Sequence, residues 1–377
     1  MIQEMRLPTR IRFGEGAINE VPGHLKEAGK SRPLLVADKG ISSLPMVTNL
    51  QEALQQAGLA VTVYDDFAGN PAERHVRAGV EAFHRHDADC LIIMGGGSTL
   101  DTGKAIGLMV RNPGDIRDYR IAFPPKAIEA EIPFILAIPT TAGTGSEVGG
   151  ASVISGDDDG EKYIVSSEKM LPPLVIGDPA LTYGLPPAMT AATGMDALTH
   201  CIEAFLTNRW HPICEGIALE GIRLIFKNVE KACAEPENTA ARSAMLMAAM
   251  MGAISFQKGL GVIHSCAHAL GSVHDLHHGT AIAAMLPAGL EFNRQGQEKK
   301  YRRILEAAGH PADADLPQVV RDLIGRILPD LQLRESIPEI SEPLLAAAQK
   351  DFCHMMNPRP VAAGDFKEIF NNAMQQT

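Results

Sequence analysis

Four short runs in the first half of the chain are apolar from end to end: Pro33-Leu-Leu-Val-Ala37, Cys90-Leu-Ile-Ile-Met94, Phe134-Ile-Leu-Ala-Ile138 and Leu174-Val-Ile-Gly177. A strand with one wet face alternates polar and apolar residues, so a strand without alternation is buried on both faces, as in a parallel sheet covered by helices on each side. Amphipathic stretches of about ten residues or more separate the runs and supply those helices. The first half is therefore α/β, with a Rossmann-like parallel sheet.

After Asp178-Pro179 the texture changes. Ala, Met, Leu and Glu dominate, strand-like runs disappear, and segments such as Ala240 to Ala253 repeat at helical spacing. The second half reads as all-α. A chain of 377 residues exceeds what one core usually serves, about 250–300 residues. The boundary falls at Leu185-Pro186-Pro187, where prolines stop one element and a helix can start at Ala188. This gives an α/β nucleotide-binding domain over 1–185 and a helical domain over 186–377. Asp157-Asp158-Asp159-Gly160 reads as a hairpin tip or loop.

Lys and Arg number 34 against 45 Asp and Glu, a net charge of −11. Nucleic acid and anionic membrane both select clustered basic residues, so neither is an expected partner, and a small molecule is. The six cysteines are scattered with no CxxC pair, which suggests neither a disulfide framework nor a thiolate zinc site and fits a reducing cytoplasm. Met1 to Arg12 lacks the apolar core of a signal peptide, and no uninterrupted apolar run reaches about 18 residues.

The run ending at Met94 leads into Gly95-Gly96-Gly97-Ser98 and then a helical stretch through Lys104. Glycines at a strand-to-helix turn let a ligand approach the backbone, and the helix start offers free N–H groups to a diphosphate. No GxGxxG is present, and Asp38 at the end of the first buried run precedes the glycines. A carboxylate there accepts from ribose hydroxyls and repels a 2′-phosphate, which favours NAD over NADP. A second cluster, Thr140, Thr141, Thr144 and Ser146 with two glycines, follows the third run and suits the carboxyl edge of a parallel sheet, where such folds bind ligands.

Asp196 and His200 stand four apart, on one face of a helix and within reach of one ion. His264, His268, His274, His277 and His278 follow within fifteen residues. On one unbroken helix His264 and His278 would stand about 21 Å apart, so the chain must turn if both are to bind; Gly271-Ser272 and the polar stretch around Asp275 supply a break. Imidazoles with a carboxylate suit Fe(II), Zn(II), Co(II) or Mn(II) acting as a Lewis acid.

Four strings together resemble the iron-containing (group III) alcohol dehydrogenases: Gly95-Gly-Gly-Ser-Thr-Leu-Asp-Thr-Gly-Lys104, Ile138-Pro-Thr-Thr-Ala-Gly-Thr-Gly-Ser-Glu147, Ala192-Thr-Gly-Met-Asp-Ala-Leu-Thr-His-Cys-Ile-Glu203, and His264-Ser-Cys-Ala-His268 with His277-His-Gly279. The likeness runs from about residue 10 to Asn357-Pro-Arg359. It implies Asp196, His200, His264 and His278 as ligands of Fe(II), with Zn(II) as the alternative, and His268 beside nicotinamide and substrate. It also implies that Asp38, Asn70, Gly96, Gly97, Ser98, Thr140, Thr141, Thr144, Ser146 and Lys162 line the NAD site, and that the chain is a homodimer or larger.

Phe256-Gln-Lys-Gly-Leu-Gly261 resembles the 4-hydroxybutyrate dehydrogenase subgroup. Lys258 is accordingly expected to pair with the anionic tail of an ω-hydroxy acid. The alternatives are a short-chain alcohol or 1,3-propanediol dehydrogenase acting on neutral substrates, a zinc glycerol dehydrogenase, a dehydroquinate-synthase-like lyase, and a non-catalytic NAD- or metal-binding sensor. The lyase would need many basic residues for a phosphate, and the helical half shows no such cluster near the histidines; the sensor reading would be favoured by a missing ligand.

Overall fold

The computed structural model describes residues 9–121, 126–158, 160–337 and 339–376. They form two compact units: one takes in the chain up to Thr141 together with Gly145–Thr182, and the other Ala142–Thr144 and everything from Tyr183 on.

In the first unit β1 (Arg10–Phe13), α1 (Val21–Glu27), β2 (Pro33–Val36), α2 (Pro45–Gln56), β3 (Thr62–Tyr64), α3 (Glu73–Arg85), β4 (Cys90–Gly95), α4 (Gly97–Met109) and β5 (Phe134–Pro139) follow one another. The hairpin β6 (Ala151–Ser155) and β7 (Lys162–Ser166) and then β8 (Leu174–Gly177) complete it. All pairings in the six-stranded sheet are parallel, in the order β1-β8-β5-β4-β2-β3. The four apolar runs are β2, β4, β5 and β8, and β2, β4 and β8 are buried at every residue. Alternate side chains explain why. Leu35, Ile92, Met94, Leu136 and Ile176 share a core with Val21 and Leu25 of α1 and Val47, Leu50 and Leu54 of α2. Ile93, one residue out of phase, meets α4 on the opposite face, where a Cβ on Gly103 would come within 2.5 Å of it. Glycine at that position is what lets helix and strand approach so closely.

The hairpin pairs Ala151 with Ser166 and Ser155 with Lys162. Asp157 and Asp158 occupy its tip and Gly160 turns it at φ +64°, whereas Asp159 lies outside the described residues. Met1 to Pro8 of the N-terminal stretch also lie outside.

The second unit contains α5 (Pro187–Leu206), α6 (Pro212–Ala234), α7 (Thr239–Ser255), α8 (Val262–His274), α9 (His278–Asn293), α10 (Glu298–Ala307), α11 (Leu316–Ile327), α12 (Leu333–Ser336), α13 (Glu342–Lys350) and α14 (Ala363–Gln376). Proline initiates α5 at its first position, one residue ahead of Ala188, where its missing N–H leaves no helical bond unmade. This helix is the axis of the unit: α6, α7 and α9 pack around it, and it is buried at nearly every position from Thr190 on. Two glycines set its spacing to the neighbours. A Cβ on Gly252 of α7 would lie 3.0 Å from His200 Cβ, and one on Gly279 of α9 would lie 2.5 Å from the Ala192 carbonyl oxygen. The stretch Thr239–Lys258 has the length and mean hydropathy (1.2) of a membrane span, and 56% of that window is buried inside the protein.

Candidate active site

In the helical unit three helices converge on one carboxylate. Asp196 and His200 lie one turn apart on buried α5, and His264 is in the first turn of α8. Gly271 and Ser272 remain helical; α8 stops only at His274, where Asp275 adopts a left-handed conformation at φ +52°, and α9 starts at His278. That reversal closes the fourteen-residue gap. The Nε2 atoms of His200, His264 and His278 stand 3.6, 3.7 and 3.3 Å from Asp196 Oδ1. Ligand atoms of Asp196, His200 and His264 all lie within 4.8 Å of one another. His274 and His277 are not in that group of three.

These residues fit a metal ion on two counts. Asp196 Oδ1 and His264 Nε2 are buried and hydrogen-bond to nothing in the protein, and leaving a buried donor or acceptor unpaired costs about 1–3 kcal/mol, more for a charged group. In a tetrahedral site with ligand bonds of about 2.0–2.1 Å, adjacent donor atoms stand about 3.4 Å apart, close to the spacings found here.

Electrostatics agrees. Burial disfavours the Asp196 carboxylate, yet the imidazoles of His200 and His278 outweigh it and hold the group well below its ordinary range. Burial pushes His200 down to about 3 and also lowers His278, so both offer unprotonated nitrogens, as a metal requires. Burial lowers His264 too, but Asp196 and Glu203 overcome it and carry the ring up to about 9. Two buried carboxylates thus favour positive charge at this spot.

Carboxylates stand behind two of the rings. Glu203 Oε2 is 2.6 Å from His264 Nδ1, and Asp351 Oδ2 is 2.8 Å from His268 Nδ1. Asp351 Oδ1 accepts in turn from Ser265 Oγ at 2.7 Å and from the Cys353 N–H at 2.8 Å. Burial raises Asp351, but His268 reverses the sign and holds it low. His268 forms rather than leaves the cluster, its ring stacked 5.3 Å from that of His278. His200 differs: its Nδ1 is buried without a partner, and Phe256 packs edge-on at 5.2 Å. Sequence reasoning quoted Glu203 without giving it a role and missed Asp351. Glu203 had a signal, three residues after His200 and seven after Asp196 on one helical stripe, whereas Asp351 is 83 residues from His268.

In the α/β unit the predicted cofactor residues collect at the carboxyl edge of the sheet. The strand order reverses between β2 and β4, and ligands of doubly wound sheets bind at such a switch point. Asp38 follows β2 and the glycines follow β4. Asp38 Oδ2 accepts from Thr99 Oγ1 at 2.6 Å and its Oδ1 from the Gly40 N–H at 2.8 Å. The Thr140 N–H donates to the Gly95 carbonyl at 3.0 Å, and a Cβ on Gly96 would touch Thr141 at 3.4 Å. Gly97 and Ser98 open α4. Asn70 is exposed ahead of α3, and the Ser155 that pairs with Lys162 donates its N–H to the adjoining Pro71 carbonyl at 2.8 Å. Thr144 lies in Ala142–Thr144, which belongs to the helical unit.

Ser146 is held by two α4 residues that the sequence reading passed over. Its hydroxyl donates to Asp101 at 2.5 Å and accepts from Lys104 Nζ at 2.6 Å. Lys104 is buried, and its ammonium also donates to the carbonyls of Ser146, Gly149 and Ala151. Burial lowers its pKa against the pull of Asp101. It ties the loop after β5 to the helix after the glycines.

Lys258 corrects the sequence reading. Its side chain is 0% exposed. Nζ donates to the carbonyls of Phe205 at 3.0 Å and Thr207 at 2.9 Å, and lies 3.0 Å from Glu215 Oε1. An ammonium has three donors, and all three are engaged, which leaves none for the anionic tail of a substrate. The lysine instead caps the C terminus of α5, where unpaired carbonyls and the helix dipole favour a cation. Lys300 adds a second cap, donating to Leu206 and Thr207 at 2.7 and 2.8 Å.

A doubly wound nucleotide-type unit followed by a helical unit with a buried histidine–carboxylate cluster is the make-up of metal-dependent nicotinamide dehydrogenases. The family model for iron-containing alcohol dehydrogenase matches residues 8–179. The C-terminal model of the same family matches residues 190–374. A 4-hydroxybutyrate dehydrogenase of Cupriavidus necator is 36% identical over 97% of this chain and 98% of its own length. A 1,3-propanediol dehydrogenase of Citrobacter freundii is 34% identical over 96% of each. The structure of a sulfoacetaldehyde reductase from Bifidobacterium kashiwanohense in complex with NAD+ superposes with a TM-score of 0.91 at 29% identity, covering 100% of both chains. The chain belongs to the iron-containing alcohol dehydrogenase family, as an NAD-dependent alcohol oxidoreductase.

Proposed function

We propose that this chain interconverts a short-chain primary alcohol and its aldehyde. The observation that carries the reading is the convergence of three Nε2 atoms on one unpartnered carboxylate oxygen. Asp196, His200, His264 and His278 would hold Fe(II), with Zn(II) as the alternative. When bound, the ion supplies Lewis acidity toward an alcohol or carbonyl oxygen and NAD supplies the hydride acceptor.

The chain's own work is orientation and proton handling. His268 offers a proton or a lone pair at Nε2, because Asp351 engages Nδ1. Asp351 is itself fixed by Ser265 and the Cys353 N–H. Asp38 keeps lone pairs for ribose hydroxyls and repels a 2′-phosphate, which favours NAD over NADP. Gly96, Gly97 and Ser98 would receive the diphosphate on the α4 start, and Asn70, Thr140, Thr141, Thr144, Ser146 and Lys162 would complete the proposed cofactor site.

In this reading residues 1–185 serve the cofactor and 186–377 the metal and substrate. Cytoplasmic residence is supported by six free cysteines, five of them buried. A homodimer or larger assembly is supported by exposed Trp210, Ile213, Met355 and Met356.

A second reading, an ω-hydroxy acid such as 4-hydroxybutyrate, is favoured by the Cupriavidus relative, but it needs an anchor other than Lys258. Anaerobic NADH oxidation by the Fe(II)-loaded protein separates the two, with a simple aldehyde, 3-hydroxypropanal and succinic semialdehyde at equal concentration. Turnover of the neutral aldehydes is the expected result. A strong preference for the semialdehyde would favour the second reading, and no turnover of any would contradict both.

A further inference from the structure

Glu203 is 2% exposed and has no role in the reaction as described. It lies on the α5 stripe that carries Asp196 and His200, and its two oxygens do different things. Oε2 faces His264 Nδ1 at 2.6 Å, and Oε1 accepts the backbone N–H of Ile263 at 2.8 Å. Ile263 is the second residue of α8, whose N-cap, Gly261, has no side chain to satisfy the first turn. Two side chains from elsewhere in the same unit take over. Glu203 receives the Ile263 N–H, and Asn357 Oδ1 receives that of Val262 at 3.1 Å. A Cβ on residue 261 would sit 2.7 Å from both acceptor oxygens, so glycine is what admits them.

The ring is thereby held at two points, through its own Nδ1 and through the backbone N–H of the residue before it. With Nδ1–H donating to Glu203, Nε2 is the nitrogen left facing Asp196 Oδ1, where it hydrogen-bonds to nothing in the protein. We propose that Glu203 is a positioning residue for the metal: it fixes the tautomer and rotation of His264 and couples metal occupancy to the first turn of α8. The inference rests on the metal reading above. It goes beyond that reading by assigning the affinity of the site to a carboxylate that never touches the ion.

Glu203→Gln tests it with little change of shape. The amide oxygen can still accept from Ile263, but the amide nitrogen would meet Nδ1–H donor to donor. The imidazole then relaxes by moving its proton to Nε2, which removes the lone pair the metal needs. Zn(II) affinity, measured by competition with a chelating dye, is expected to fall about 10- to 100-fold. The visible spectrum of the Co(II)-loaded variant should change with it, while the metal-free protein melts close to wild type. Zinc affinity within twofold of wild type, with an unchanged cobalt spectrum, overturns the proposal.

Asp196→Asn is the reference. If it releases zinc and Glu203→Gln does not, only the role of Glu203 falls. If Asp196→Asn keeps zinc, the metal reading fails and carries this inference with it. A crystal structure of the zinc-loaded wild type decides the matter even if the variant does not fold: His264 bound through Nε2 with Nδ1 on Glu203 is expected, and binding through Nδ1 overturns the proposal.

Discussion

The carboxyl edge of the sheet and the histidine cluster are built in opposite ways. At the edge, each functional group follows directly from a strand: Asp38 after β2, Gly96 to Ser98 after β4, Thr140 and Thr141 after β5. The groups come together because parallel strands end on one side, and much of what they offer is backbone. In the cluster, four side chains come from three helices, and the groups behind them come from as far as Asp351. Position there depends on helix spacing, set by residues such as Gly252 and Gly279. The edge should therefore tolerate the loss of one side chain, and the cluster should not.

The sharpest way to break that contrast is to remove the shared carboxylate. Asp196→Asn should reduce bound iron to a small fraction of one per chain and lower kcat about 10³-fold or more, since Lewis-acid stabilisation is worth several kcal/mol. Metal analysis with steady-state kinetics checks it.

His268→Ala should lower kcat about 10²-fold, the low end for general acid–base catalysis, with iron retained. Asp351→Asn should lose less, about 10-fold, with KM little changed and the pH profile of kcat displaced, because it disturbs the proton-handling ring without removing it.

Lys258→Met should act on folding. Removing a buried ammonium takes the partner from Glu215 and from the Phe205 carbonyl, while Lys300 still serves Thr207, a loss of about 2–4 kcal/mol by urea denaturation. KM for acid and neutral substrates should change alike; a KM rise confined to the acid would restore Lys258 as an anchor.

The smallest effect belongs to the edge. Asp38→Gly removes one ribose contact, so NAD should bind about 10-fold more weakly and discrimination against NADP should relax, with kcat nearly unchanged. Parallel NAD and NADP titrations report it.

The same contrast explains what could be read without coordinates. The four buried strands were visible because burial on both faces erases alternation over four to six residues. The glycine loop and Asp38 were visible for a related reason: each is adjacent in sequence to the strand that places it. Within the cluster only the i, i+4 pair Asp196 and His200 shared a helix, and the meeting of His264 with His278 depended on a turn at Asp275 rather than at Gly271-Ser272. Lys258 misled because a lysine next to a ligand-bearing helix carries the same letter whether it faces a pocket or caps α5. Asp351 left no local sign at all.

The central claim is that one ion sits among Asp196, His200, His264 and His278. A crystal structure of the anaerobically Fe(II)-loaded protein, with anomalous difference maps on either side of the iron absorption edge, tests it most directly. A single iron peak within bonding distance of the Asp196 carboxylate and the three Nε2 atoms is the predicted result. Iron at the neighbouring group of His268, Asp351 and Cys353, or bound without Asp196, would contradict it.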